Sequence, residues 1–228
     1  MLKLQKPESL VGQIYRNLSQ AIMDGSLKPG LPLKEQELQR NLGVSRAPIR
    51  EAIRLLQADR LVVVSTYKEK YVRRITRDDL LDVIPVLACL EGCAARLAVQ
   101  RMGSAQIEAF LKIDEKMAKA HLAGDTDLCN ELNFEFHKLY VKASGNGAVK
   151  QAIRPLVKRD IRLWVTTLYR QKPELFETTI REHEKILEAF SNRKARRAEN
   201  AVREHIENVL QRALRASAFD KDGNFKIS

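Results

Sequence analysis

The chain of 228 residues has few glycines, prolines and cysteines, and it lacks any long apolar run. With only 10 Gly and 7 Pro, neither a collagen-like repeat nor a disordered composition fits. No apolar stretch approaches the roughly 20 residues of a membrane-spanning helix, which excludes an integral membrane protein. Three cysteines are too few and odd in number for a disulfide framework, so we expect small, buried apolar residues. The N-terminal sequence has no signal-peptide pattern, and we expect a cytoplasmic protein.

Basic residues are in excess, and the excess is concentrated in the first third of the chain. The formal net charge is +11, from 40 Lys and Arg against 29 Asp and Glu. Residues 1–77 contain 15 basic and 7 acidic side chains, whereas residues 78–228 contain 25 and 22. This asymmetry predicts an N-terminal module that binds a polyanion, joined to a nearly neutral body. A basic surface that only confers solubility is the alternative.

The basic segment has the pattern of three helices followed by a β-hairpin. Gly43 ends the second helix, and Ser45 can cap the third, whose buried stripe consists of Ile49, Ala52, Ile53 and Leu56. β-branched and aromatic runs on both sides of a four-residue turn form the hairpin. This order predicts a winged helix-turn-helix, with helices at 10–22, 34–42 and from 45 onward, and strands at 61–65 and 70–75.

The rest of the chain has almost no strand signal, so we predict a mainly α protein with a C-terminal all-α antiparallel helical bundle. Short turn motifs separate the helices, expected at 78–101, 104–123, 126–143, 147–169, 174–190 and 194–217. We assign residues 1–77 to a winged helix-turn-helix DNA-binding domain. Residues 78–218 form an all-helical effector-binding, metal-binding and dimerisation domain. Residues 219–228 lose the helical periodicity, and we expect a frayed tail.

The third helix carries the candidate DNA-contacting residues. Its first turns place four residues away from the buried stripe, at the end that a recognition helix presents to the major groove: Ser45, Arg46, Ala47 and Arg50. Arginine there can pair with guanine or clamp a phosphate, and Ala47 can contact a thymine methyl group. A solvated charged face is the alternative, but the following hairpin is also basic, and its Lys68 is a further candidate contact.

The segment MDGSLKPGLPLKEQELQRNLGVSRAPIREAIRLLQAD closely resembles the winged helix-turn-helix signature of the GntR family of bacterial transcriptional regulators. The resemblance covers about residues 10–75 and implies that a homodimer binds a palindromic double-stranded operator. It implies DNA contacts from the second and third helices, at Gln36, Ser45, Arg46, Ala47 and Arg50. Two glycines that are usual in the family are replaced, by Arg60 after the third helix and by Glu69 in the wing.

Three of the four histidines combine with Asn133 into a candidate metal site in the helical body. Asn133 and His137 are four residues apart and share a helix face. His183 and His205 lie equally far from a turn centred near residue 194, so antiparallel helices bring both imidazoles to the same height. Three nitrogens and one oxygen suit zinc, nickel, cobalt or manganese. Each histidine taken alone is better explained as an ordinary core or surface residue, and it is the symmetric placement of three that favours a metal site.

The body resembles the FCD ligand-binding domain of the FadR subfamily over roughly residues 78–217. The motifs LEGCAARLA, NFEFHKLYVKASGN and REHEKILEAF and the later His205 follow the family's order. The resemblance implies a divalent metal ion, with zinc or nickel favoured, and a small-molecule effector. In metal-containing members the oxygen ligand is Asp, for which Asn133 is a neutral replacement. Leu87 stands where the family tends to have Arg.

Two arginines beside a later apolar stripe, Arg159 and Arg162, are candidate contacts for an acidic effector, with a solvated basic face as the alternative. These features predict a metabolite-responsive transcription regulator, more often a repressor, that releases its operator when an organic acid binds near the metal. A metal-dependent hydrolase is a second hypothesis, because three histidines can activate water. However, the chain has no HExxH arrangement. An architectural DNA-binding protein without a ligand is a third hypothesis.

Overall fold

The structure is a computed structural model that describes residues 9–23, 25–157, 161–215 and 219–225. It confirms a mainly α-helical chain with one small antiparallel sheet. The chain divides into two compact units, and the boundary between them falls between Ile75 and Thr76. Among the described residues, no helix is both long enough and apolar enough to cross a membrane.

The first unit is a three-helix domain with a two-stranded wing. Its elements are α1 (Leu10–Met23), α2 (Glu35–Leu42), α3 (Arg46–Ala58), β1 (Val62–Val64) and β2 (Lys70–Val72). The predicted stripe of α3 is fully buried and packs against apolar residues of α1 and the strands. Val62 of β1 pairs with Val72 of β2, and both side chains enter this core. The exposed side of α3 is thereby left for other contacts.

The described residues of the second unit form seven α-helices. These are α4 (Arg77–Arg101), α5 (Ser104–Leu122), α6 (Thr126–Ala143), α7 (Gly147–Leu156), α8 (Arg162–Gln171), α9 (Leu175–Ser191) and α10 (Ala195–Arg215). Helices α4 and α10 pack closely along their length, and Gly92 makes this approach possible. A Cβ atom added there would lie 2.6 Å from Cγ of Arg203 and 3.0 Å from the carbonyl oxygen of Glu199.

The helix expected over 147–169 is divided into α7 and α8. Pro155 lies in the last turn of α7, and the backbone is π-helical at Val157 and Ile161, on either side of residues 158–160. Proline removes a backbone donor and disturbs the preceding turn, so the sequence carried a signal for this break. The irregularity matters because both helices contribute to a cavity described below.

The C-terminal tail is ordered in its described part, so the expectation of fraying was wrong for residues 219–225. Phe219 and Phe225 form an antiparallel bridge around a turn at Asp220, and Asn224 bridges to Thr76. The ring of Phe225 is only 5% exposed and lies edge-on to Trp164, with 6.4 Å between ring centroids. The tail thus covers part of the helical unit instead of leaving it.

The three cysteines differ in environment, which corrects the expectation that all are buried. Cys89 is exposed, Cys93 is partly exposed and only Cys129 is buried. Burial, reinforced by the charge of Asp125, raises the pKa of the Cys129 thiol to about 11. Only Cys129 therefore behaves as the small apolar residue that composition suggested.

Candidate DNA-binding surface and metal centre

The DNA-facing residues expected from the sequence are all exposed. Ser45 precedes α3 in an extended conformation, and Arg46, Ala47 and Arg50 follow on its outer face. Gln36 is exposed on α2, and Lys68 is exposed in the turn of the wing. The α2–α3 turn is tight because Gly43 adopts a left-handed conformation with φ of 65°. The side chain of Ser45 makes no capping hydrogen bond to the first turn of α3, and a helix N-terminus of this kind can bind a phosphate through its backbone N–H groups.

A buried carboxylate, which sequence reasoning missed, joins the recognition helix to the wing. Glu35 begins α2, and its side chain accepts hydrogen bonds from Nε of Arg46 at 2.6 Å and Nζ of Lys70 at 2.7 Å. Nε of Arg50 lies 3.7 Å from the same carboxylate. Burial favours the neutral acid, but the bonds and charges of Lys70 and Arg46 outweigh it, so the pKa of Glu35 is lowered. The carboxylate therefore holds three cations from two other elements.

The backbone is left-handed at one of the two positions where the family's glycines are replaced. Arg60 has φ of 55°, in the left-handed region that usually favours glycine. In the wing the left-handed residue is Lys68, with φ of 64°, and not Glu69. The Glu69 carboxylate accepts a hydrogen bond from the hydroxyl of Tyr71. Tyr71 thus gives the acid of the wing a partner within the protein.

In the second unit, the structure brings three histidines from three helices together. His137 lies on α6, His183 on α9 and His205 on α10, and one ligand atom from each lies within 4.8 Å of the other two. The Nε2 atoms of His137 and His205 are 3.3 Å apart. His183 is fully buried, with its ring stacked on Phe136 at 3.8 Å between centroids. The symmetric placement expected around the α9–α10 turn is what the structure has.

A carboxylate lies behind each imidazole. Nδ1 of His137 is 2.7 Å from Oε2 of Glu91, and Nδ1 of His205 is 2.8 Å from Oε2 of Glu182. Nδ1 of His183 is 3.5 Å from Oδ1 of Asp114. A proton on Nδ1 that faces a carboxylate leaves the lone pair of Nε2 free, which is the tautomer that metal-binding histidines adopt.

Buried polar atoms at this cluster lack partners within the protein. Among the described residues, Oδ1 of Asn133 and both ring nitrogens of His183 have no hydrogen-bond partner. Burial and the neighbouring charges of His205, His137 and Arg212 lower the pKa of His183 well below its ordinary value. Burial, followed by the charge of His137, also lowers the pKa of His205. Neutral imidazoles and an unpaired amide oxygen fit a bound cation, which would satisfy them.

The cluster forms one end of a cavity of about 550 Å³ within the helical unit. Asn133, His137 and His205 line it together with Glu91. Most of the other lining residues are apolar and come from α4, α7, α8 and α10, including Leu87. Of the two candidate effector contacts, Arg162 lines the cavity, with its guanidinium 4.9 Å from the ring centre of Phe134. Arg159 lies outside the described residues.

Comparisons with known proteins agree with this architecture. The family model for bacterial regulatory proteins of the gntR family matches residues 10–70, and the FCD domain matches residues 82–208. The transcriptional regulator YdhC of Bacillus subtilis is 30% identical over 218 residues, covering 92% of this chain and 96% of that protein. A probable D-xylose utilization operon transcriptional repressor of Paenarthrobacter nicotinovorans is 26% identical, covering 89% and 88%. The Glc operon transcriptional activator of Escherichia coli is 27% identical, covering 86% and 85%.

A winged helix-turn-helix joined to a helical domain with an internal cavity defines a DNA-binding transcription regulator. A solved structure of E. coli McbR/YncC has the same fold, with a TM-score of 0.74 at 22% identity, covering 92% of this chain and 99% of that one. The chain belongs to the GntR family and has the FCD type of C-terminal domain. Since the relatives and the fold are those of transcription regulators and not enzymes, the hydrolase hypothesis is set aside.

Proposed function

We propose that the chain acts as a homodimer whose binding to a palindromic operator is controlled by a small organic acid, bound beside a divalent metal ion in the helical unit. The convergence of three imidazoles carries this proposal: two of them are bonded to a carboxylate and line the cavity, and the third, His183, is buried beside them with both ring nitrogens unpartnered. Asn133, His137, His183 and His205 would hold zinc or nickel. The cation would supply a Lewis-acid anchor for a carboxylate oxygen.

The roles of the chain's own residues follow from their positions. Glu91 orients His137 and Glu182 orients His205, whereas His183 is held by stacking on Phe136. Glu182 is itself held by a bidentate ion pair with Arg212 at 2.6 and 2.9 Å. On the DNA-binding unit, Arg46 and Arg50 would reach base edges or phosphates, and Lys68 would reach a phosphate from the wing. A dimer presents two such units to successive major grooves, which matches a palindrome.

Metal content tests the first half of the proposal. Untagged protein should retain about one zinc or nickel ion per chain, and His137→Ala should lose it. His121→Ala is the matched control, because His121 lies outside the cluster, near the end of α5, and should leave the metal in place. Asn133→Asp should tighten metal binding at least tenfold, since a carboxylate binds a divalent cation better than an amide. Equal metal content in the wild type and His137→Ala would refute the site.

Selection of genomic fragments by the purified protein at fixed salt tests the second half. Enrichment of a palindrome is expected, and Arg50→Ala should relax the preference at specific base pairs. Lys68→Ala should weaken binding to all sequences alike. Equal affinity for the selected fragment and random DNA would instead indicate an architectural protein.

We propose that the protein represses transcription and that binding of the effector releases it from the operator. One relative is named a repressor and another an activator, so a reporter gene behind the selected fragment decides the sign.

A further inference from the structure

The cavity beside the histidine cluster has features that narrow the class of its ligand, and this inference rests on the proposed effector-binding function. Its polar groups fall into two sets that differ in exposure. Asn133 and His205 are buried, whereas the side chains of four basic lining residues are exposed: Lys138, Lys150, Arg154 and Arg162. The histidine cluster therefore forms the floor of the cavity, and the basic residues form its rim.

The wall between rim and floor is apolar. Helices α4 and α10 run antiparallel, because Arg96 on α4 pairs with Glu199 at the start of α10, and Arg193 before α10 bonds the carbonyl oxygen of Val99 near the end of α4. Residues before Glu91 on α4 and after His205 on α10 thus lie on the same side of the cluster. These residues include Ile84, Leu87, Ile206 and Val209. Helix α7 adds Ile153, helix α8 adds Trp164 and Val165, and the residues that flank the two helices add Val157 and Ile161.

The size of the cavity excludes a very small effector as its full occupant. At a share of about 30 Å³ per water molecule, 550 Å³ corresponds to roughly 18 waters. A hydroxy acid of two or three carbons at the floor would leave most of that volume to water against apolar side chains. Apolar walls favour an apolar occupant, so a ligand on the order of 12 to 18 non-hydrogen atoms matches the space better.

The charged side chains that line the cavity indicate which charge the ligand carries and how many ionic groups it has. Among the described lining residues Glu91 is the single acid, and it already accepts hydrogen bonds from His137 and Tyr140. A basic rim attracts anions to the entrance. Along the wall between floor and rim, the polar side-chain groups of the described lining residues are Nε1 of Trp164, which has no hydrogen-bond partner, and the hydroxyl of Tyr169, which is bonded to Thr179. No charged side chain of this wall would pair with a second charge, and a row of hydroxyl groups would find at most one free partner.

We propose that the effector is an amphipathic monocarboxylate: one carboxylate at the histidine floor and an extended alkyl or aryl body along the wall of α4, α7, α8 and α10. Sugars and short polyhydroxylated acids leave the wall unfilled and bury hydroxyl groups without partners. Each methylene group that enters the wall lowers the Kd about three- to fourfold. The affinity therefore rises with chain length until the wall is covered.

Calorimetry on the full-length protein loaded with zinc tests this with straight-chain monocarboxylates of two to ten carbons, 3-phenylpropionate, glycolate, lactate and gluconate. The expected result is a steady fall of Kd with chain length, with phenylpropionate well ahead of lactate. Val209→Thr, which puts a hydroxyl into the wall, should flatten the dependence on chain length. Val86→Thr is the matched control, because Val86 is exposed on α4 and does not line the cavity.

The outcomes separate this inference from the proposed function. Two results would overturn the inference that the effector is a monocarboxylate with an apolar body. These are tighter binding of glycolate, lactate or gluconate than of octanoate, and an affinity independent of chain length. Both would leave the proposal of metal-dependent sensing intact. Failure of every acid to bind a protein that holds zinc also overturns it. If the wild type cannot be loaded with zinc and no acid binds, the proposed function itself fails. A dependence on chain length that persists unchanged in Val209→Thr would place the binding elsewhere.

Discussion

The carboxylate of Glu35 holds the cations of the DNA-binding unit in position, and we expect Glu35→Gln to lower operator specificity while raising affinity for random DNA. Glutamine keeps the shape of the side chain, but its amide group can no longer attract Arg46, Arg50 and Lys70 as an anion does. Released arginines sample many orientations, so fewer of them meet a base edge. Removing one negative charge near DNA strengthens the non-specific electrostatic attraction.

The magnitude follows from the exposure of each partner. The side chain of Arg46 is 61% exposed, so its bond to Glu35 contributes about 0.5 to 1 kcal/mol to the free energy of unfolding. That of Lys70 is 25% exposed, and its bond contributes about 1 to 1.5 kcal/mol. In Glu35→Gln the free energy of unfolding of this unit should therefore fall by about 2 kcal/mol in total. A bidentate arginine discriminates between bases by about 1 to 3 kcal/mol, so partial loss of its orientation should reduce the specificity ratio about fivefold.

Fluorescence anisotropy with the selected operator and a scrambled duplex, at two salt concentrations, measures both affinities. Glu37→Gln is the matched control, because Glu37 lies on the same helix, is half exposed and pairs with Lys34 and not with α3. It should raise both affinities slightly and leave their ratio unchanged. If Glu35→Gln changes the two affinities by the same factor as Glu37→Gln, Glu35 acts only as a nearby charge, and the positioning argument is refuted.

The pH dependence of stability gives an independent check on the same residue. The pKa of Glu35 is lower in the folded unit than its ordinary value of 4.5, so ionised Glu35 stabilises the fold above that value. This contribution is lost as the pH falls below 4.5 and towards the folded pKa. The wild type should therefore lose stability relative to Glu35→Gln in this range, and parallel unfolding curves would contradict the assignment.

Three further predictions concern other parts of the chain. Phe225→Ala should destabilise the helical unit by about 3 kcal/mol, whereas Leu122→Ala, at an 86% exposed side chain, should change thermal unfolding by less than about 0.5 kcal/mol. Equal effects would mean that the tail does not pack. In a variant whose other two cysteines are serine, Cys129 should resist a disulfide reagent at pH 8 until denaturant is added, because its pKa is raised to about 11. Arg60→Gly should raise the free energy of unfolding by about 1 kcal/mol, measured as a higher urea midpoint, because it removes an arginine with a left-handed backbone.

The features that the sequence predicted well depend on local periodicity. The buried stripe of α3 and the bounds of α6 follow from helical spacing and from capping residues, which act within a few positions. His183 and His205 could be expected together because their equal spacing about one turn needs a single assumption, that α9 and α10 are antiparallel. His137 shares a helix face with Asn133 by local spacing, but its approach to the other two depends on how α6 packs. Their role in metal binding stays a prediction.

The features that were missed depend on partners distant in the chain. Glu35 meets Lys70 across 35 positions, and Glu91 meets His137 across 46, so no window of sequence links either pair. The ordered tail is different, since its FDKDGNF segment has a turn dipeptide, Asp-Gly, between two phenylalanines, which is a hairpin signal. Its short length and position at the chain end concealed this signal.

In the proposed site, the charges around the histidine cluster would couple binding of the metal to binding of the effector. One amide and three imidazoles would bring no negative charge to a cation, whereas an Asp in place of Asn133 would bring one. Glu182 is neutralised by Arg212, and burial, reinforced by nearby acids, raises the pKa of Asp114 to about 7, so Glu91 is left as the main compensating charge. A carboxylate effector would therefore supply the negative charge that the neutral side chain of Asn133 lacks. By linkage, the effector should strengthen metal binding by the same factor by which metal strengthens effector binding, and this coupling should be larger here than in a site with Asp.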